Sequence, residues 1–533
     1  MEKRLAGRTD LLVDKLFQRI YRHCGRQEVL EVSKKRIGCI SLSKTDLTVI
    51  QVLVEGVKIR LELLLHWLDQ LAFQPKRRIR NSERDHDCRI GVANLLQEVM
   101  HAHSPLTKGM ADRWSLEVLL ASGMRIYAGV SDKDRYTNAL VGTAELALKG
   151  CTTVYDMCLE VPVPSEEGIG AVATAYADTG LRAVIAPMIS DRTFFQATAG
   201  LLDALPGDAR AELKKAGVRA EQPLDAMRRI IEGWKWSYDS IRPGLAPTIP
   251  LHCSEELLTG CRNLQSQYGV TLQSHLQESK VQLLSAVQSL GKTQTAHLQN
   301  FGLLGPSFVA AHGVWLNDDD MRRLGEAGSS VSHNPGSNTI LGSGLADARK
   351  MIESGINLSI GTDGSNCSDN LNMYEAMRAA LRVSHVRSPD IDRWLSAKEV
   401  FHAATVGGAK ACGMEHIGRI APGYRADIVF LDLSHPNWIP TNNVLVQLVQ
   451  SEDGNAVDSV MVGGDWVVYK RALATVNLEA LRSEASSALG RLMEAGEKQT
   501  ALFEKLMPVV RCFCPAMAAQ PYRLNRYGSA LGE

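Results

Sequence analysis

The sequence has no surplus of charge of either sign: 59 Lys and Arg balance 59 Asp and Glu over 533 residues. A chain built to hold nucleic acid carries a basic excess or stripe, so polyanions are excluded as expected partners. Long apolar runs free of charge are also missing. The most apolar early stretch, 47–73, contains Glu55, Lys58, Arg60 and Glu62, too many charges for a membrane span. The opening MEKRLAGRTD is not followed by an apolar core and a small-residue cleavage site, so no signal peptide is expected. The 11 cysteines are scattered, mostly inside apolar segments, with a lone C-x-C at Cys512 and Cys514. No second pair stands at ligand spacing, so reduced thiols in a cytoplasmic protein are expected. Proline is scarce before residue 98, where Pro75 stands alone. Residues 10–22 and 47–73 have helical character, but 1–97 carries no motif and its fold stays open.

From about residue 98 a rhythm sets in: a short β-branched apolar run, a polar turn, then a longer amphipathic stretch. The runs are 99–103, 152–157, 182–189, 244–251, 271–275, 308–312, 329–333 and 357–362. Helical patterns such as 138–149, 279–290, 318–326 and 346–354 lie between them. Eight alternations predict an α/β fold, a (β/α)₈ TIM barrel, because eight strands close a parallel sheet on itself. The barrel is expected over 98–415. Short strands with Gly turns then predict a small β-sandwich domain over 416–472, and a helix and loose tail follow over 473–533. Gly168-Ile169-Gly170-Ala171-Val172-Ala173 matches a loose dinucleotide pattern, but it follows Pro162 and Pro164 rather than a strand and reads as a Gly-rich helix start.

The chemistry-bearing residues fall at the ends of these runs. His101 and His103 stand two apart on the first, so strand alternation points both imidazoles the same way. His275 ends the fifth run, His312 the sixth and Asp363 the eighth. Singly, each reads as well as a buried histidine or a turn aspartate. Five such residues at four strand ends, where barrel enzymes build their sites, point to a metal. Imidazoles with one carboxylate suit Zn²⁺ or Fe²⁺, and a water on such a metal can have its pKa lowered to about 7. The fourth run, GLAPTIPL, offers no bridging carboxylate or lysine, so one metal is expected. Glu278, three residues after His275, faces the same pocket only if the chain turns there; a carboxyl so placed can shuttle protons. Otherwise it is a solvated glutamate at a helix start. Substrate contacts are expected from His252, Trp315 and Asn338, with Lys108 and Asp112.

HAHSPLTKG, SHLQES, AAHGVWLNDDD, SVSHNPGSNTILGSG and GTDGSNCSDNLNMYEAMR resemble, in order and spacing, the motifs of the metal-dependent amidohydrolase superfamily. The similar branch is that of the cytosine, guanine and S-adenosylhomocysteine deaminases and the chlorotriazine hydrolases, and it covers about residues 98–470. The resemblance implies that His101, His103, His275 and Asp363 hold one divalent metal. It implies that Asp363 takes a proton from water, His312 orients the attacking group, and Glu278 protonates a ring nitrogen and the leaving group. The lead-in ANLLQEVMHAH departs from the family's Pro-Gly entry, and nothing ahead of it reads as the strands that open the sandwich. The expected function is an aminohydrolase releasing ammonia from a small nitrogen heterocycle. The alternatives are hydrolysis of a chloro, alkylamino or amide group in the same site, or a non-catalytic barrel. A homo-oligomer is expected.

Overall fold

The computed structural model describes residues 89–527, apart from Asn94 and Asp369. The helical stretches expected at 10–22 and 47–73 lie outside the described residues. The described residues all belong to one compact unit, 82–533.

Four strands, β1 (Arg89–Ala93), β2 (Leu95–Met100), β3 (Cys151–Asp156) and β4 (Arg182–Ile185), come first. They are followed by β5 (Met188–Ile189), β6 (Ile241–Pro243), β7 (Ala246–Pro247) and β8 (Leu272–Leu276). The series continues with β9 (Phe308–His312), β10 (Ser330–His333) and β11 (Asn357–Ile360). Strands β2-β3-β4-β6 form one four-stranded parallel sheet, β8-β9-β10-β11 a second, and β5 pairs with β7. Leu245 bridges Leu272 between the two larger sheets, and the Asp363 N–H donates to the Val99 carbonyl at 2.9 Å. β3, β4, β8, β9 and β10 bury every residue, as strands covered on both faces do.

The third expected strand is split, between Ile185 and Met188. The fourth, expected over 244–251, is replaced by two short pieces, Ile241–Pro243 ahead of that run and Ala246–Pro247 within it. Pro187 and Pro243 lack the N–H that a ladder needs, which explains both interruptions. The helices are set by their ends. Asn317 caps Asp318–Glu326 in a capping box with Asp320, and three aspartates fill its first turn, where the helix dipole favours negative charge. The Gly-rich stretch at 168–173 lies inside the helix Glu166–Thr179, capped by Ser165, as the sequence suggests. A Cβ at Gly168 would collide with the Glu160 carboxylate, which receives the Ser165 N–H at 2.9 Å.

The second sheet type is antiparallel. It contains β12 (Ile428–Asp432), β13 (Val457–Val462), β14 (Asp465–Tyr469) and β15 (Ala472–Leu473), in the order β1-β12-β13-β14-β15. Its edge strand β1 lies ahead of residue 98, where the sequence showed no strand. RIGVA is short and interrupted by Gly91, so its pattern is faint; it becomes a strand by pairing Arg89 with Asp432 through Ala93 with Ile428. Among the described residues there is no second antiparallel sheet to pack against it. Arg182 on β4 forms a buried bidentate pair with Asp427 just before β12, at 2.7 and 3.0 Å.

The C-terminal region is more ordered than its sequence suggests. Helices Leu478–Glu497 and Thr500–Ala518 are followed by a segment in which Arg526 is 3% exposed. The Arg526 guanidinium donates to the Leu316 carbonyl at 2.7 Å, and Tyr527 meets Trp315 edge-on at 5.1 Å. Seven of the eight described free cysteines are buried, and no described helix is long and apolar enough to cross a membrane.

Candidate active site

The site is built at the ends of β2, β8, β9 and β11. Strand β2 stops at Met100, so His101 and His103 stand in the turn beyond it rather than on a strand. Their convergence comes from that turn, closed by the Ser104 N–H to His101 carbonyl bond at 2.8 Å. Asp156, the last residue of β3, fixes the turn by accepting from the Ala102 N–H at 3.0 Å, with Tyr176 donating to its other oxygen at 2.9 Å. Burial pushes the Asp156 carboxyl up to about 6.

His275 lies within β8 and His312 ends β9. After β8 the chain does turn: Gln277 is left-handed (φ 48°) and Ser279 caps the helix Lys280–Leu290, which carries the Glu278 carboxyl inward. His312 and Asp363 are also left-handed, at φ 70° and 75°. Non-glycine residues in that region are uncommon, and three of them at one site mark backbone held by its surroundings.

The orientation of the rings decides what the cluster can bind. His101 Nδ1 lies 2.7 Å from the Met157 carbonyl, and His275 Nδ1 2.7 Å from the Thr248 carbonyl. A carbonyl only accepts, so both Nδ1 atoms carry hydrogen and both Nε2 atoms present lone pairs. Those two Nε2 atoms are 3.3 Å apart, and Asp363 Oδ1 lies 3.1 Å from His101 Nε2. His312 Nδ1 donates to Asn338 Oδ1 at 2.9 Å, which leaves its Nε2 with no partner, 3.6 Å from Glu278 and 3.7 Å from Asp363. His103 joins them at 5.0 Å from His101, centroid to centroid, and its Nδ1 has no partner. Electron-pair donors converging this closely need a cation between them, so the residues fit a divalent metal. Glu278, His312 and Asp363 also form a group whose ligand atoms lie within 4.8 Å of one another, the one such group among the described residues.

Electrostatics separates the two carboxylates. Burial alone would raise Asp363, but the hydrogen bond to His101 and the charges of His312, His101 and His275 hold it far below the usual carboxylate range. Glu278 is driven the other way, well above its ordinary value, by burial and by the negative charges of Asp363 and Glu117. His275 falls to about 3, through burial and the neighbouring His101 and His312. The site thus sets a carboxylate held in its ionised form beside a carboxyl whose neutral form is favoured, a contrast suited to acid–base chemistry.

The expected substrate contacts are placed differently from one another. Asn338 holds His312, and its Nδ2 has no partner. Trp315 is fully buried and donates from Nε1 to the Ser343 carbonyl at 2.7 Å. His252 is buried beside Phe194, Lys108 pairs with Glu145, and Asp112 is exposed. Two supporting residues have no signal in the sequence: Asp156, and Glu117, a buried carboxylate that accepts from Ser279 Oγ at 2.7 Å.

Residues 100–467 match the amidohydrolase family. The chain is 32% identical over 399 residues to a 5'-deoxyadenosine deaminase of Methanopyrus kandleri, covering 74% of this chain and 84% of the relative. It is 31% identical over 390 residues to a 5-methylthioadenosine/S-adenosylhomocysteine deaminase of Syntrophobacter fumaroxidans, covering 73% and 82%. An adenosine deaminase of Xanthomonas campestris, solved with bound zinc, superposes with a TM-score of 0.67 at 25% identity, over 76% of this chain and 86% of that one. The zinc complex of an atrazine chlorohydrolase from Arthrobacter aurescens shares the fold, with a TM-score of 0.67 at 21% identity over 75% and 88%. With the family match running through the four strand ends that carry the donors, the chain belongs to the amidohydrolase family and is a hydrolase.

Proposed function

We propose that this protein is a deaminase that releases ammonia from an amino-substituted nitrogen heterocycle of the adenosine type, with one divalent metal held by His101, His103, His275 and Asp363. The carrying observation is the buried Glu278 carboxyl, 3.6 Å from His312 Nε2, whose neutral form burial and the charge of Asp363 favour. Hydrolytic loss of an amine needs an acid for the ring nitrogen and for the departing nitrogen. A neutral carboxyl gives its proton to the ring nitrogen and is reloaded with one proton from the attacking water to protonate the departing nitrogen. It regains its neutral form with the water's second proton. A bound metal, zinc or iron, would polarise water and lower its pKa toward about 7. Asp363, ionised and hydrogen-bonded by the Gly364 N–H at 2.7 Å, takes the proton released by the attacking water. His312, fixed by Asn338, directs its free Nε2 toward the same point and steadies the incoming oxygen. The names of the relatives support an adenosine-type substrate.

The scaffold for this reading is a (β/α)₈ barrel. The contacts between Leu245 and Leu272 and between Asp363 and Val99 support closure of the two parallel sheets into one ring. The antiparallel sheet corresponds to one layer of a small β-sandwich. The absence of a bridging ligand on β6 and β7 supports a single metal. Small heterocycles and water are the partners, in a cytoplasmic homo-oligomer.

The test is ammonia release by metal-loaded protein from 5'-deoxyadenosine, adenosine, adenine and a chlorotriazine. Ammonia from the purines, with no chloride from the triazine, is the expected result. Chloride release without ammonia would replace the deaminase reading with a dehalogenating one.

A further inference from the structure

An imidazole that binds a metal is ordinarily turned toward it by a hydrogen bond from its other ring nitrogen. His101 and His275 follow this rule through the Met157 and Thr248 carbonyls, at 2.7 Å each. His103 has no such bond: its Nδ1 is buried without a partner. It is also less deeply buried than His101 and His275, which are 7% and 8% exposed. Its main chain, by contrast, is well held. The Asn138 side chain donates to the His103 carbonyl at 2.8 Å and accepts the Leu106 N–H at 2.9 Å. Those bonds fix where the side chain starts and leave the rotation of its ring open.

The His103 ring packs on Tyr127. Their centroids lie 4.7 Å apart with the planes at 85°, the edge-to-face arrangement that aromatic pairs favour. Tyr127 stands at the end of helix Leu116–Ile126, where its N–H donates to the Gly123 carbonyl at 2.9 Å. Its hydroxyl accepts from Asn366 Nδ2 at 2.7 Å. Asn366 is 7% exposed and follows Asp363 by three residues, in a loop whose Ser365 N–H donates to Ser104 Oγ at 2.8 Å. Tyr127 is therefore held at both ends, by its helix and by the loop that carries Asp363.

We propose that Tyr127 is the positioning residue for His103, turning its imidazole with an aromatic contact where His101 and His275 use a carbonyl. Asn366 ties that support to the loop of Asp363, so two of the four proposed ligands share one brace. The inference rests on the metal site proposed above and concerns a residue outside its ligand set. Tyr127 acts on the ion through His103 alone. Ring and hydroxyl have separable parts in this arrangement. Leucine at 127 keeps apolar bulk but offers no aromatic face or edge, whereas phenylalanine keeps the ring and loses only the bond from Asn366.

The test follows zinc on the full chain, starting from metal-loaded protein and competing with a chelator of known affinity. Tyr127→Leu should weaken zinc about tenfold to a hundredfold, the usual loss when a group that orients a ligand is removed. Tyr127→Met, a second ringless replacement, should do the same. Tyr127→Phe should bind zinc more tightly than either and less tightly than the parent. Cobalt-loaded protein gives a second readout: its ligand-field absorption bands should shift in Tyr127→Leu and return toward the parent's in Tyr127→Phe. A general loss of stability does not move those bands in the chains that stay folded. Parental zinc affinity and an unshifted cobalt spectrum in the ringless variants overturn the proposal. So does a Tyr127→Phe protein as weak as Tyr127→Leu, which places the whole effect in the hydroxyl. A parent that holds no zinc removes the metal site and this inference together. None of these readouts involves substrate, so a failure of the deaminase reading shows separately, in ammonia release.

Discussion

Glu278 sits under three influences that act in the same direction: burial, the charge of Asp363 and the charge of Glu117 all favour its neutral form. That suits it to the acid role proposed for it, and the sign of its pH dependence follows. The protonated carboxyl is the working form, so turnover should hold steady below its raised pKa and fall as pH climbs through it. Because Asp363 and Glu278 interact, the descending limb belongs to the pair. Glu278→Gln should keep the metal, since the four proposed ligands are untouched, and lose about 10²–10⁴ in turnover, the usual contribution of a positioned acid. The residual rate should lack that limb. A variant with parental turnover on amino substrates would reduce Glu278 to a residue at a helix start. The histidines and Asp363 could be read in the sequence because each ends a recognisable apolar run. Asp156 could not, and Asn338 was legible only as a substrate contact and not as the partner of His312, because the bonds that make them matter span 54 and 26 residues and exist only after the strands align.

Between residue and molecule, the loops after the strands are where the structure adds most to the sequence. The turn after β8 is organised by the Gln277 side chain. Its Nε2 donates to the Trp315 carbonyl at 2.8 Å and to Asp320 at 3.0 Å, and its Oε1 accepts from the Thr295 hydroxyl at 2.8 Å and backbone N–H at 3.2 Å. One side chain thus ties the β8 loop to the β9 loop and to two helix starts, holding Glu278 and His312 in register. Gln277→Ala leaves those buried partners unpaired and should cost about 1–3 kcal/mol or more. Chemical denaturation would show it as a lower midpoint with an unchanged slope; an unchanged midpoint would mean the loops are held elsewhere. Helix positions followed from periodicity and caps, as at Asp318–Glu326, whose bounds match the sequence reading. Strand continuity followed less well, because Pro187 interrupts the apolar run 182–189, and the fourth strand begins at Ile241, ahead of the run expected from 244. The tail was harder still: Arg526 is polar and near the end, and only its guanidinium bond to Leu316 and the Tyr527–Trp315 contact reveal that it is packed.

At the scale of the molecule, the parallel strands and the small antiparallel sheet are joined by a buried ion pair. Arg182 and Asp427 are 6% and 1% exposed at the side chain, and Asp427 also receives the Gly463 N–H at 2.6 Å. Removing one partner strands the other charge in the interior, so Asp427→Ala should destabilise by about 3–5 kcal/mol. The ends of the chain give the complementary test. All donors of the proposed metal site lie beyond residue 100, and the unit that contains them begins at Ser82. Protein lacking residues 1–81 should therefore still bind about one equivalent of metal, counted by elemental analysis after mild purification. Two reproducible equivalents in the intact protein would contradict the single-metal site. Extending the deletion through Ala93 should behave differently, because it removes β1 and exposes the hydrogen-bonding edge of β12. An unpaired edge is a template for association between chains, so this longer deletion should aggregate or lose stability, while the shorter one should not. Equal behaviour of the two deletions, by light scattering and thermal unfolding, would mean that β1 contributes nothing to the sheet it borders.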